Sequence, residues 1–405
     1  MKLRVYVAPC GIGLGHITRS VPIADELRRR GNEIAYSTYL EGLDFAKHNH
    51  LPTYEAVPIN FKVTSDGTID FKMTAATSGF SLGIRRFLRQ VTREIQFMKS
   101  FSPNIVFSDS RASSLVAARL LRVPVVLMLN QFRVEIIRRP TGRRMSLFDR
   151  LFFFIANLGW LFVRTALALV WVRSQIILIP DLPSPNTISL GNLSIPRRYN
   201  GKVKLIGPIV NDNADTARSE AEVKRRLGFH AARPLVYAAV SGPKLEREIL
   251  ADLLLQSLTE FPKEYDAVLS RGDPTGQWKP QRFGRAITYD WIENQDDFIG
   301  ACDVVVGRAG HGTIMKSLSY GKPMILVPIP DHTEQYGNAR RAVSLGVAKI
   351  IDQNRLNHGT LEHAVREILG NAKYRDRSIE LMKITRQMHA VDSACDAISS
   401  LAASH

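Results

Sequence analysis

The sequence predicts an α/β protein of two doubly wound, Rossmann-like domains facing one another across a cleft. Three observations carry this. At 405 residues the chain exceeds one ordinary hydrophobic core. Short apolar strands alternate with helical stretches in two separate runs, and the strands are apolar on both faces, as in parallel sheets covered by helices. A stretch rich in Pro, Gly and Asn from Pro180 to Asn213 lies between the runs. The composition is globular, with 45% apolar, 23% charged and 8% aromatic residues, which excludes disordered and collagen-like chains. Cys10, Cys302 and Cys395 form no CxxC pair, against a disulfide scaffold or zinc knuckle.

In chain order, LRVYVAP reads as a strand, followed by the glycine turn Cys10–His16 and a helix that ends at Gly31. EIAYSTY, NIVFSDS, VPVVLMLN and SQIILIP continue the first run. The second run contains PLVYAAVSG, YDAVLS, RAITYD, CDVVVGRAG, PMILVP and VAKIID, and amphipathic helices close the chain. The expected division is 1–207 for an acceptor-side domain, 208–230 for a linker, 231–375 for a nucleotide-binding domain and 376–405 for a helix packing across both. Ligands of such sheets sit at the carboxyl ends of the strands, here in the cleft.

The charge is uneven. Between Ser81 and Gln175 there are 16 basic and 4 acidic residues, so +12 of the chain's +16 lies in about a quarter of its length. Residues 82–99 place Ile84, Phe87, Leu88, Val91, Ile95 and Met98 at helical spacing, with Arg85, Arg86, Arg89, Arg93 and Lys99 opposite. That is the pattern of a helix lying on an anionic membrane surface, or of an ordinary flanking helix with a solvated basic face. A second segment, 147–173, includes the apolar run Leu151–Val172, whose 22 residues are long enough to span a bilayer. Connectivity argues against a crossing, because the next strand must return to the first sheet. A helix or hairpin lying in the interface fits better, with Arg150, Asn157 and Arg164 as a polar stripe and Phe152, Phe153, Phe154, Trp160 and Trp171 as anchors. Burial inside a large domain is the alternative. The arginines accompany a greasy run rather than stacking aromatics on a sheet, so a membrane is expected and nucleic acid is not. The opening MKLRVYVAPCGIG lacks a cleavable signal pattern, so the expected location is cytoplasmic, peripheral at the inner face of the plasma membrane.

Two glycine turns carry the chemistry. Cys10-Gly11-Ile12-Gly13-Leu14-Gly15-His16 approaches a dinucleotide fingerprint, but the third glycine falls on His16, and no acidic residue ends EIAYSTY to hold a ribose. What remains is a histidine at a helix N-terminus, where the helix dipole favours a neutral ring able to accept a proton. The second turn, Gly307-Arg308-Ala309-Gly310-His311-Gly312-Thr313, offers backbone N–H groups at Gly310, Gly312 and Thr313 to a diphosphate. Downstream, Pro328–Tyr336 sets Glu334 beside Gln335, a carboxylate and an amide suited to sugar hydroxyls.

Together, GLGH and GRAGHGT…SYGKPMILVPIPDHTEQYGNA resemble the GT-B nucleotide-sugar glycosyltransferases, specifically the MurG-like (lipid II N-acetylglucosaminyltransferase-like) family and its archaeal-type members. The resemblance covers nearly the whole chain, and the C-terminal block is its most specific part. It implies a hexosyltransferase moving sugar from a nucleotide-diphosphate sugar, a UDP-sugar by expectation, to a lipid-linked or membrane-associated acceptor, inverting, without metal or cofactor. It implies His16 as general base, with Asp109 either orienting it or binding acceptor. Donor contacts are implied at Trp291, Ile292, Arg308, Gly310, His311, Gly312, Thr313, Glu334 and Gln335, and acceptor contacts at Gly13, Gly15, Asn130 and Gln131. One departure is Lys316, where many relatives carry a ribose-binding glutamate. Ser241-Gly242-Pro243 replaces a longer glycine loop and reaches phosphate through Ser241. No DxD motif stands where a divalent ion would need one.

Two other readings use the same fold. A nucleotide-sugar epimerase would need carboxylates around the anomeric carbon but no membrane segment. A non-catalytic nucleotide-sugar-binding subunit would not need His16 and both donor turns in one polypeptide.

Overall fold

The computed structural model describes residues 2–59, 80–132, 147–191, 193, 195–210, 219–242, 244–277, 279–330 and 332–404. It contains two seven-stranded sheets. In the first, β1 (Arg4–Pro9), β2 (Glu33–Thr38), β3 (Thr53–Glu55), β4 (Ile105–Asp109), β5 (Val125–Met128), β6 (Ile176–Ile179) and β7 (Val203–Leu205) lie in the order β3-β2-β1-β4-β5-β6-β7, with every pairing parallel. In the second, β8 (Leu235–Ala239), β9 (Asp266–Ser270), β10 (Gln281–Phe283), β11 (Ala286–Tyr289), β12 (Val304–Gly307), β13 (Met324–Leu326) and β14 (Ala348–Ile350) lie in the order β10-β11-β9-β8-β12-β13-β14, parallel except for the β10–β11 edge. The two-domain parallel architecture agrees with the sequence. Its cause is visible in β1, where Val5, Tyr6 and Val7 are all fully buried because helices cover both faces.

Reversal of strand order beside β1 and β8 opens a crevice at the strand ends of each sheet. There α1 (Gly15–Arg29) follows β1 in the first domain. In the second, a helix spanning His311–Ser319 follows β12 (Val304–Gly307).

The domains are tied together at several points. Phe45 of the first meets Trp291 of the second edge-on at 6.0 Å. Arg341 donates to the carbonyl of Thr187 at 2.9 Å, and Arg377 to Asn186 at 2.8 Å. The final helix, Ala390–Ala403, returns to the first domain and buries Ala394, Ala397 and Ile398 in its core. Arg30 fastens it through Asp392 and Asp396.

Two helices on the first domain depart from their expected facing. α3 (Phe80–Phe101) buries Gln90, Val91, Glu94, Met98 and Phe101, while Leu88 is 56% exposed and Ile84 42%. Glu94 turns the helix. Its carboxylate accepts from Tyr6 Oη at 2.9 Å and Ser37 Oγ at 2.8 Å and pairs with the buried guanidinium of Arg111. A buried charge so fully partnered fixes the helix rotation and leaves Ile84 and Leu88 outside. The second helix, α5 (Leu147–Trp171), is continuous rather than a hairpin and leads into β6 beside β5. Among its described side chains, those packed lie in its last turns. Trp171 is buried against Phe132 and is not an interfacial anchor. Leu151, Phe154, Ile155, Leu158 and Phe162 are all more than half exposed along one face. The side chains of Phe152, Phe153, Asn157, Trp160 and Arg164 lie outside those described. Among the described residues, no helix is long and apolar enough to cross a membrane.

Candidate active site

The first glycine turn is shaped by close packing on one side and open space on the other. A Cβ at Gly11 would fall 1.9 Å from the carbonyl oxygen of Tyr39, so the turn lies hard against α2 (Leu40–His48). Gly13 has φ +67°, a left-handed conformation that favours glycine. Its N–H donates to Glu41 at 3.3 Å. Gly15, at the start of α1, has nothing within 4 Å of a built Cβ. Gly312 in the second domain's turn is equally open. No neighbouring protein atom requires glycine at these two positions, and both leave bare backbone facing a space.

That space is one cavity of about 280 Å³ with walls from both domains. Gly15, Thr18 and Arg19 line one side, and Ser241, Trp291, Gly312, Thr313 and Lys316 the other. The N-terminus of the His311–Ser319 helix faces into it, supplying unpaired N–H groups and the positive end of a dipole. Lys316 is held by Asp296 at 2.9 Å, and both line the cavity. At the position where many relatives carry a glutamate, this chain therefore presents an ion pair.

His16 lies on the first turn of α1, between Gly15 and Arg19. Its Nδ1 is 2.9 Å from Oδ1 of Asp109, the last residue of β4 (Ile105–Asp109). Asp109 is fully buried. Burial alone would push its carboxyl up, but the charges and hydrogen bonds of Arg19 and His16 outweigh this and hold it at about 2. The carboxylate therefore stays ionised and accepts the Nδ1 proton, which leaves Nε2 as the free basic nitrogen. Nε2 makes no hydrogen bond with any described residue.

Other expected residues fall in different places. Asn130 accepts from Arg19, and Gln131 Nε2 donates to Glu334 Oε2 across the cleft at 3.2 Å. Gln335 uses its side-chain oxygen to accept from the N–H of Ile329 at 3.0 Å, bracing the loop before its own helix. None of Asn130, Gln131, Glu334 and Gln335 lines the cavity, and three further side chains are packed into the fold. Ile292 is packed into the second domain's core. Arg308 is buried and donates to the carbonyls of Val327 and Glu246. His311 is buried 3.1 Å from Asp181, a linker carboxylate. Burial raises Asp181, but His311, Ser189 and the N–H of Ile188 more than offset it and hold it at about 2. Arg308 and His311 thus serve the fold, because each meets a buried partner that sequence order does not reveal.

Sequence reasoning missed Arg19, Glu41, Asp296 and Glu246. Arg19 had a signal: it stands three residues after His16 on a helix, and such residues share a face. Glu246 is buried behind Ser241-Gly242. Burial raises its carboxyl to about 7, Arg308 opposing and Glu41 of the other domain adding to the rise.

Comparison with known proteins agrees with this geometry. Residues 245–393 match the glycosyltransferase family 28 C-terminal domain. An uncharacterized glycosyltransferase of Methanosarcina acetivorans is 24% identical over 393 residues, covering 96% of this chain and 95% of its own. The UDP-N-acetylglucosamine--N-acetylmuramyl-(pentapeptide) pyrophosphoryl-undecaprenol N-acetylglucosamine transferase of Corynebacterium diphtheriae is 22% identical over 99% of this chain and 98% of its own. Among solved structures, MurG of Acinetobacter baumannii superposes with a TM-score of 0.56 at 16% identity, covering 99% of this chain and 100% of that one. The calicheamicin glycosyltransferase CalG4 gives 0.62 at 16% identity, covering 99% and 98%. With a match to the family 28 C-terminal domain in its second lobe, MurG-like relatives along its length and two parallel-sheet lobes, the chain is a glycosyltransferase of GT-B fold.

Proposed function

We propose that this enzyme transfers a sugar from a UDP-sugar to a lipid-linked acceptor at the anionic inner face of the plasma membrane, by direct displacement with inversion and without a metal. One observation carries the reading: a histidine held through Nδ1 by an ionised, buried aspartate stands in the helix turn between Gly15 and Arg19, which line a cavity whose far wall is an open glycine turn at a helix start. In the transfer, Nε2 of His16 takes the proton from the acceptor hydroxyl as that oxygen bonds to the anomeric carbon. The bond from that carbon to the β-phosphate oxygen breaks, and the nucleoside diphosphate leaves. Negative charge growing on the diphosphate is met by the N–H groups of Gly312 and Thr313, the helix dipole and Lys316. Glu334 and Gln335 hold the donor sugar, Trp291 flanks the nucleotide, and Asn130 and Gln131 face the acceptor.

The lipid part of the proposal rests on α5. Its apolar face is exposed, as are Ile84 and Leu88 of α3, which Arg85 and Arg89 follow in sequence. Apolar residues flanked by arginines suit a surface of anionic lipid. The printed name of the Corynebacterium relative, a UDP-sugar enzyme acting on an undecaprenol-linked acceptor, supports the same donor and acceptor classes.

A thermal-shift panel of UDP-, GDP-, dTDP- and ADP-sugars tests the donor, since a ligand that binds only the folded state raises its melting temperature. The expected result is stabilisation by one UDP-sugar above the others, followed by transfer of its sugar to a polyprenyl-linked acceptor in vesicles. Stabilisation by none of the four removes the proposed donor class.

A further inference from the structure

Arg19 is the most heavily bonded side chain in the cleft. It leaves α1 one turn after His16, and its side chain is 10% exposed. The guanidinium grips Asp109 side-on, Nε to Oδ2 and Nη2 to Oδ1, and gives Nη1 to Oδ1 of Asn130. The same Nη2 lies 3.1 Å from Nδ1 of His16. Nδ1 cannot accept from Arg19 and donate to Asp109 at once. Opposite an ionised carboxylate the proton belongs on Nδ1, and the Arg19 contact is then a cation set against the ring's N–H edge.

We propose that Arg19 is a positioning residue for the base: its fork fixes Asp109 against Nδ1 of His16, and its charge weakens the pull of Asp109 on the protonated ring. The inference rests on His16 being the base. It has a geometric part and an electrostatic part. A carboxylate clamped on both oxygens cannot rotate, so the ring it holds keeps Nε2 in one direction. A carboxylate shared between two cations stabilises imidazolium less than one belonging to histidine alone. The proton taken from the acceptor is then readily given up, and the base is restored for the next turnover. The other charged groups near the turn are Glu41, on the N–H of Gly13, and Glu334, reached through Gln131 from the opposite domain. Neither bonds the ring.

A purely structural Arg19 would only neutralise a buried carboxylate, so its loss would cost stability without moving the titration of His16. The two roles separate in Arg19→Met and Arg19→Lys. The acid limb of the kcat/KM profile is expected to move up by about one pH unit in Arg19→Met, the scale set by one adjacent charge. Lysine restores the charge but not the fork, so Arg19→Lys should show a smaller rise and a lower kcat. In parallel, 15N-histidine NMR of the full chain, with His16→Gln for assignment, should show the Nδ1-protonated tautomer in the wild type and a matching upward shift in the variants. An unmoved limb and an unmoved His16 resonance in folded Arg19→Met would overturn the electrostatic part, and an unchanged kcat in folded Arg19→Lys would overturn the positioning part even where Arg19→Met fails to fold. If His16→Ala keeps full turnover, the base assignment falls instead, while the NMR titration still tests the Arg19 arrangement by itself.

Discussion

Gln131, just past the first domain's fifth strand, donates to Glu334 of the second domain at 3.2 Å, so an amide and a carboxylate share one hydrogen bond across the cleft. A donor sugar gripped by Glu334 has to compete with that amide. Replacing Glu334 by Ala is expected to raise the donor KM about tenfold or more, the cost of losing a charge-assisted hydrogen bond. Gln131→Ala should raise the acceptor KM and leave the donor KM unchanged or lower. Initial rates with each substrate varied in turn distinguish the two effects.

In the proposed mechanism Asp109 acts through His16, and its carboxyl, held at about 2, is ionised at any physiological pH. Asp109→Asn keeps the shape but cannot impose the Nδ1–H tautomer, so kcat should fall by about 10²–10⁴ with donor affinity retained. Its depressed native pKa also carries a stability consequence. An unfolded aspartate titrates at 3.8 and the native one at about 2, so the stabilisation is present above pH ~4 and is lost as pH falls toward 2. Acid unfolding followed by circular dichroism should begin at higher pH in Asp109→Asn.

Glu246 has the opposite sign. Its native carboxyl titrates near 7 and its unfolded value is 4.5, so the folded state holds the proton more tightly. Stability is therefore lost as pH rises from about 4.5 through 7, by roughly 3 kcal/mol in all. Glu246→Gln should melt a few degrees above wild type at pH 8 and level with it at pH 5. Melting curves at the two pH values check this directly.

The exposed face of α5 should bind lipid. Phe154→Glu combined with Leu158→Glu is expected to reduce co-sedimentation with phosphatidylglycerol vesicles about tenfold or more, and neutral phosphatidylcholine vesicles should bind even the wild type weakly. Equal sedimentation of wild type and variant would remove this face from the proposal. Neither position is packed, so the variant's melting temperature should not change.

The two sheets were legible in the sequence because buried parallel strands such as Arg4–Pro9 and Ile105–Asp109 are apolar on both faces and end at glycine turns or polar residues. His16, Asp109, Gly312 and Glu334 were legible for the same reason, since each stands at a strand end or helix start. Long-range partners were not. The apolar face from Ile84 to Met98 read as one surface, because periodicity does not disclose that Arg111, Ser37 and Tyr6 wait beneath the helix for Glu94. His311 and Arg308 read as ligand contacts until Asp181 and the carbonyls of Glu246 and Val327 came alongside. Trp171 read as an anchor until Phe132 and the β6 return buried it.

A single comparison bears hardest on the account: turnover of His16→Ala beside its donor affinity, measured on the same preparation by transfer assay and calorimetry. Turnover should drop by about 10³ or more while the nucleotide-sugar Kd stays within twofold of wild type, as expected for a group that acts only on the reacting proton. Turnover within threefold of wild type, at any pH between 6 and 9, would contradict it.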